Sequence, residues 1–216
     1  RTQPGKDGIH QLYLAYYTRK GGKWSAEQEF PFNKRGFSAQ HPWLDERNNY
    51  LYYASDEPGG AGGFDLFRCK WLDGSWQHPE RLGDEVNSVY DEVFPSINPE
   101  GELVYASNHI ETNGGLDLVL LKEGKRYLLP EPINTRFDDF GVSWRENWMG
   151  YFSSNRDGKA FNDDIFSFKG FVKREPRFHQ YLRLMLADGS GELRSQDIVI
   201  GLKSNLQIDS LRLKGW

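Results

Sequence analysis

Carboxylates are the chemistry-bearing groups that this sequence repeats. Tyr90-Asp91-Glu92 and Phe137-Asp138-Asp139 set an aromatic before two acids at an interval of 47 residues, and Phe37-Ser38-Ala39 aligns with them without the acids. Aromatic and acidic side chains gathered at one mouth could grip a peptide or a basic partner segment. The same positions also read as aromatics packed between neighbouring sheets and acids that cap turns. Two carboxylates held about 5 to 10 Å apart can hydrolyse glycosides by acid–base chemistry, and Glu92 with Asp139 would be that pair. Their equivalent places in a repeat make them resemble features of the repeat more than a differentiated acid and base.

A second set of acids, Asp65, Asp117 and Asp164, follows Gly-rich or polar stretches at intervals of 52 and 47 residues. Carboxylates beside such turns suit calcium, and Asn162-Asp163-Asp164 is the place to look for it. The order Asp-x-Asp-x-Asp-Gly of a calcium loop is absent, so an acceptor that ties a loop to the next strand is the expected role. Trp24 and Trp76, 52 residues apart, could stack on a sugar, but their repetition beside a hairpin turn predicts packing between sheets. The run Gly59 to Gly63 lacks the Gly-Lys-Ser/Thr ending of a phosphate loop. His10, His41, His78, His109 and His179 show no metal-ligand spacing, and Ser190 lies in a turn without a nucleophile elbow. No catalytic residue, metal or cofactor is expected.

The elements that hold these residues are strands. Of 216 residues, 15% are aromatic, and 23 Gly and 10 Pro supply turns. A formal charge of -4 gives no reason to bind nucleic acid or an anionic membrane. Cys69 is the single cysteine, which excludes an intrachain disulfide and leaves the redox compartment open. No apolar run reaches the roughly 18 residues of a membrane span, and Arg1 to Gly8 lack the apolar stretch of a signal peptide. The chain starts on Arg and passes at once into a strand pattern, which suggests a piece of a longer protein.

Three segments repeat one phrase: Leu51-Tyr52-Tyr53-Ala54-Ser55-Asp56, Leu103-Val104-Tyr105-Ala106-Ser107-Asn108 and Gly150-Tyr151-Phe152-Ser153-Ser154-Asn155. Downstream come Gly62-Gly63-Phe64-Asp65-Leu66-Phe67, Gly114-Gly115-Leu116-Asp117-Leu118-Val119 and Asn162-Asp163-Asp164-Ile165-Phe166. Four short strands per unit of this length predict an all-β fold of the propeller type. The full blades would run from Phe37 to about Gly83, from Tyr90 to about Ile133, and from Phe137 to about Phe171. Gln11 to Pro31 would add the outer two strands of a partial blade, with Gln11 in the Asp position and a turn two residues longer. Residues 1–172 form the expected propeller segment, which is not a whole ring because natural rings use about four to eight blades. Residues 173–216 read as a linker followed by the start of a small β-sandwich, or as closing strands. The pattern there is Tyr181 to Leu186, a turn at Asp188 to Gly191, Ile198 to Leu202, and Leu206 to Leu213.

The stretch Phe94-Pro95-Ser96-Ile97-Asn98-Pro99-Glu100-Gly101 through Asn108, with Gly114 to Leu118, resembles the TolB-type propeller repeat. Ser55-Asp56-Glu57-Pro58-Gly59-Gly60, Asp138-Asp139-Phe140-Gly141 and Ser153-Ser154-Asn155-Arg156 narrow the likeness to OmpA-family cell-envelope proteins of the Bacteroidetes. The resemblance covers Gln11 to Phe171. It implies a periplasmic, outer-membrane-associated scaffold whose partners are envelope proteins or the type IX secretion system, with peptidoglycan bound by a domain outside this chain. A propeller that binds a glycan or peptide at its mouth, and a propeller-fold glycosidase, are the alternatives. Two departures stand: residues 177–216 carry no clear regulatory-domain signature, and the third blade lacks the Gly-Lys-Trp turn.

Overall fold

The computed structural model describes residues 2–4, 10–109, 111–145, 149–157, 163–169, 198–203 and 208–213. The chain divides into two units, Arg1–Lys173 and Arg174–Trp216. Among the described residues every regular element is a strand.

The first unit opens with six short strands: β1 (Thr2–Pro4), β2 (His10–Leu12), β3 (Ala15–Tyr16), β4 (Arg19–Lys20), β5 (Lys23–Trp24) and β6 (Gln28–Glu29). β1 pairs with β2, while β3 with β6 and β4 with β5 make one interrupted hairpin. Three antiparallel sheets follow. The first has β7 (Ala39–Asp45), β8 (Tyr50–Ser55), β9 (Asp65–Leu72) and β10 (Ser75–Trp76) in that order, with β11 (Glu80–Arg81) also on β9. The second is a four-strand meander of β12 (Glu92–Ile97), β13 (Leu103–Ser107), β14 (Asp117–Lys122) and β15 (Lys125–Leu128). The third contains β16 (Asp139–Trp144), β17 (Met149–Ser154) and β18 (Asp164–Lys169). No sheet closes on itself among these residues.

The three sheets share one register. Ser55 faces Asp65, Ser107 faces Asp117 and Ser154 faces Asp164. The first strand of each sheet carries a bulge at one repeat position, where His41, Phe94 and Gly141 adopt φ of 52°, 51° and 65°. A bulge leaves one residue unpaired and increases local twist. His41 and Phe94 hold a left-handed conformation that is uncommon for side chains with a Cβ. Their rings stack at 3.5 Å, and Phe94 meets Phe140 at 4.8 Å.

At the opposite end of the sheets, two-residue hairpins turn at Gly21-Gly22, Asp73-Gly74 and Glu123-Gly124, all with positive φ, as a turn matched to strand twist requires. That shared turn fixes the register of the early hairpin. Leu14 lies ten residues before Trp24, as Leu66 lies before Trp76, so Tyr13 and not Gln11 holds the Asp position, and the turn is not longer.

The core lies between successive sheets. One apolar cluster joins Ala54 and Leu66 of the first sheet to Val93, Val104, Tyr105, Ala106 and Leu118 of the second and to Val142 and Phe152 of the third. A second sets Leu14 and Phe30 of the early hairpin against Tyr53, Phe67 and Cys69. Burial of one such Leu or Phe side chain contributes roughly 1.5 to 3 kcal/mol, so the sheets depend on one another for their apolar faces.

In the second unit, β19 (Ile198–Lys203) and β20 (Ile208–Leu213) form one antiparallel hairpin. The strand expected at 181–186, the turn at 188–191 and the linker at 173–176 lie outside the described residues.

Candidate functional site

The acids are positioned where one sheet leads into the next. Leu66 N–H donates to Asn87 Oδ1 at 2.7 Å, and Asn87 Nδ2 donates to the carbonyls of Leu66 and Leu82 at 3.0 and 2.8 Å. The amide side chain thus offers one acceptor and one donor to a single backbone residue, whose carbonyl also accepts from Leu82 N–H at 3.0 Å. Asn134 treats Leu118 in the same way at 2.9 and 2.8 Å, and Asn33 treats Leu14 at 3.0 and 2.8 Å.

Four residues beyond Asn87 and Asn134 stand Asp91 and Asp138. Asp91 Oδ1 accepts from Phe64 N–H at 2.9 Å, and its Oδ2 accepts from Asn108 Nδ2 at 2.9 Å. Asp138 repeats both bonds with Leu116 N–H and Asn155 Nδ2, each at 2.8 Å. Ser38 fills this place in the first copy, accepting from Leu12 N–H at 3.2 Å while Asp56 accepts from Ser38 N–H at 2.6 Å. Asp91 and Asp138 therefore each tie three segments with one short side chain, and Ser38 does so with its hydroxyl and its backbone N–H.

Glu92 and Asp139 are the deepest acids, 1% and 0% exposed. Glu92 accepts from the Ser88 N–H at 2.8 Å, from the Ser88 hydroxyl, and from the Ser107 hydroxyl at 3.1 Å. Burial pushes its carboxyl above the ordinary range, and those bonds pull in the other direction. Asp139 accepts from Thr135 N–H and hydroxyl at 2.6 and 2.8 Å and pairs with Arg156 at 2.6 Å. Arg156 also caps the carbonyls of Pro132 and Ile133, and Arg126 caps those of Asp84, Glu85 and Asn87. The expectation that Glu92 and Asp139 face a partner or a sugar is corrected here: both are closed off from solvent and bonded within their own junctions.

The remaining predicted residues divide by exposure. Asp91, Asp138, Phe37, Tyr90 and Phe137 are half-buried. Tyr90 meets His109 edge-on at 5.1 Å, and Arg136 lies over the Phe137 ring at 4.9 Å. Asp65 Oδ2 accepts from Ala61 N–H at 2.7 Å and lies 3.4 Å from Arg81. Asp117 Oδ2 accepts from the Asn113 and Gly114 N–H groups, and burial raises its pKa. Asp164 is half-buried and Asp163 exposed, while Asn162 lies outside the described residues. Among the described residues no three His, Cys, Asp or Glu side chains gather as a metal group.

Trp76 packs edge-on against Tyr16, Phe30 and Trp71. Trp24 stands 66% exposed beneath Arg19, so packing between sheets is corrected at that residue.

The glycines explain the close fit of the loops. A Cβ on Gly62 would stand 2.4 Å from the Val89 carbonyl carbon, and one on Gly114 would stand 2.4 Å from the Phe137 carbonyl oxygen. Loop 56–64 and the connections 82–91 and 129–138 between sheets lie on one end, since they join the same strand ends. Val89, 73% exposed, stands on that end between Ser88 and Tyr90.

The clamp asparagines were not singled out in the sequence, although Val86-Asn87-Ser88 and Ile133-Asn134-Thr135 recur at the interval of 47. That spacing was the available signal.

No family model matches this chain, and no curated protein does. Among solved structures, a puromycin-hydrolysing peptidase of Mycobacterium tuberculosis is similar at a TM-score of 0.45 and 15% identity, over 80% of this chain. The chain spans 27% of that protein's length.

Proposed function

We propose that Arg1–Lys173 is a β-propeller segment that acts as a non-catalytic protein-interaction scaffold of the bacterial cell envelope. What carries the reading is that the repeated acids are bonded inside the junctions, while exposed groups such as Val89 stand on the long-loop end. Loops on a rigid sheet frame are where binding groups concentrate. The propeller reading draws support from the common register of three successive meanders and from β12 lying against both β7 and β16, so that first strands neighbour one another as in a radial array.

The resemblance to OmpA-family envelope proteins extends this to a periplasmic, outer-membrane-associated role beside a secretion assembly of type IX, as in PorE-type proteins. Envelope or secretion-system proteins would be the partners, and peptidoglycan would be held by a domain outside this chain. The immobilised chain, exposed to bacterial envelope extract, is expected to retain a defined set of envelope proteins. A panel of glycosides and peptides is expected to remain unhydrolysed. Hydrolysis that disappears in Glu92→Gln would overturn the scaffold reading and bring the glycosidase alternative forward.

A further inference from the structure

We propose that β18 is the acceptor edge of a fourth junction, built to receive a segment bearing an apolar-Asn pair followed by an aromatic and Ser or Asp. Asp164 faces Ser154 as Asp65 faces Ser55 and Asp117 faces Ser107. Ile165 therefore holds the place of Leu66 and Leu118. Those two leucines are 0% exposed under their asparagine clamps, and Leu14 is 8% exposed under its own, whereas Ile165 is 77% exposed.

Geometry prepares this edge. The backbone N–H and C=O of Leu66 turn away from β8, because they bond to Asn87 and Leu82. β18 pairs with β17 in the same register, so the Ile165 groups turn away from β17 in the same sense. Phe166 rests against Phe152 at 5.8 Å, and Phe168 against Trp144 at 5.5 Å, which holds the strand in its sheet before any occupant arrives. An acceptor already in its bound form avoids much of the ordering cost of association. Exposed strand edges are otherwise a liability for proteins.

The three filled junctions define the occupant. Phe32-Asn33 precedes Phe37-Ser38, Val86-Asn87 precedes Tyr90-Asp91, and Ile133-Asn134 precedes Phe137-Asp138. All three asparagines are engaged on Leu14, Leu66 and Leu118, so a second copy of this chain would have to open one of its own junctions to donate. The proposed occupant is a segment that joins from outside residues 1–216. Asp163 stands where Leu12, Phe64 and Leu116 stand, and its charge favours Ser over Asp in the last position of the incoming segment, the residue Ser38 supplies in the first junction.

The test extends the full chain after Trp216 by a flexible Gly-Ser linker of about 20 residues and a second copy of Gly83 to Asn98 carrying Asp91→Ser. A matched chain adds Asn87→Ala in the appended copy. Tethering raises the local concentration to roughly millimolar, which makes weak docking measurable. Amide hydrogen exchange at Ile165 is expected to slow by about tenfold or more, a difference of roughly 1.4 kcal/mol, only when the appended Asn is present. Leu66 and Leu118 should exchange alike in both chains and so report an intact fold. Equal exchange at Ile165 in both chains, or dimers of the unextended chain that protect Ile165, would overturn the proposal. It rests on junction geometry and not on the scaffold reading, so protection of Ile165 without capture of envelope proteins would separate the two.

Discussion

Asn87 illustrates how a side chain too polar for a core comes to lie in one at 2% exposure. Its amide makes three hydrogen bonds to the backbone groups of Leu66 and Leu82. Asn87→Ala leaves the buried Leu66 N–H and the Leu82 carbonyl without that partner, while the Leu66 carbonyl keeps its bond from Leu82 N–H, and should cost about 2 kcal/mol in chemical denaturation. Glu92 raises a different expectation, because its folded carboxyl titrates above its unfolded value. The protonated form is favoured on folding, so its contribution is complete below the unfolded pKa of about 4.3 and is lost as pH rises through the folded value. Thermal melts should show wild type losing stability relative to Glu92→Gln as pH rises above the unfolded value of about 4.3. His41 runs the opposite way, with burial lowering its pKa to about 4. Its contribution is complete above about 6.5 and is lost as pH falls toward the folded value, so His41→Phe should melt with a weaker acid dependence. The roles of these residues were only partly legible in sequence. The aromatic-acid repeat was visible, but whether an acid faces solvent or its own junction depends on contacts with Ser88, Ser107 and Arg156. Asn87 stood unmarked in sequence, because Asn in a connection ordinarily serves a turn.

At the scale of elements, the strands and their order followed from alternation, turn residues and repeat spacing, since these are local properties. The bulges at His41, Phe94 and Gly141 were not legible, because nothing in His or Phe announces a left-handed backbone. Close approach of the long loops to the next sheet leaves its mark as glycines, with Gly62 and Gly114 against backbone and Gly63 and Gly115 against the Asp91 and Asp138 side chains. Gly114→Ala would drive a methyl group to 2.4 Å from the Phe137 carbonyl oxygen, so the junction must shift. A cost of about 1 to 3 kcal/mol is expected in denaturant melts. Gly74→Ala meets nothing within 4 Å and carries only the strain of φ +79°, with an expected cost of about 1 kcal/mol. A larger loss at Gly74 than at Gly114 would mean that loop packing contributes little. Trp144→Phe removes the 3.1 Å bond from its indole N–H to Ser96 across two sheets and should cost about 1 kcal/mol.

Across the described residues of the first unit, one junction is used three times with different polar residues, and its repetition links successive sheets there. The recurrence of the sheets was legible from Ser55, Ser107 and Ser154, whereas the early hairpin was misaligned by two residues because Tyr13 carries none of the marks of Asp65. Among the described residues no helix is long and apolar enough to cross a membrane. The central claim is that buried acids hold the array while the exposed long-loop end binds. Quantitative mass spectrometry of envelope proteins captured by wild type, Glu92→Gln and the surface variant Val89→Asp/Tyr90→Ala tests it most directly. The account predicts that Glu92→Gln retains the wild-type set and that the surface variant loses it. Loss of the set in a folded Glu92→Gln, with full retention by the surface variant, would contradict it.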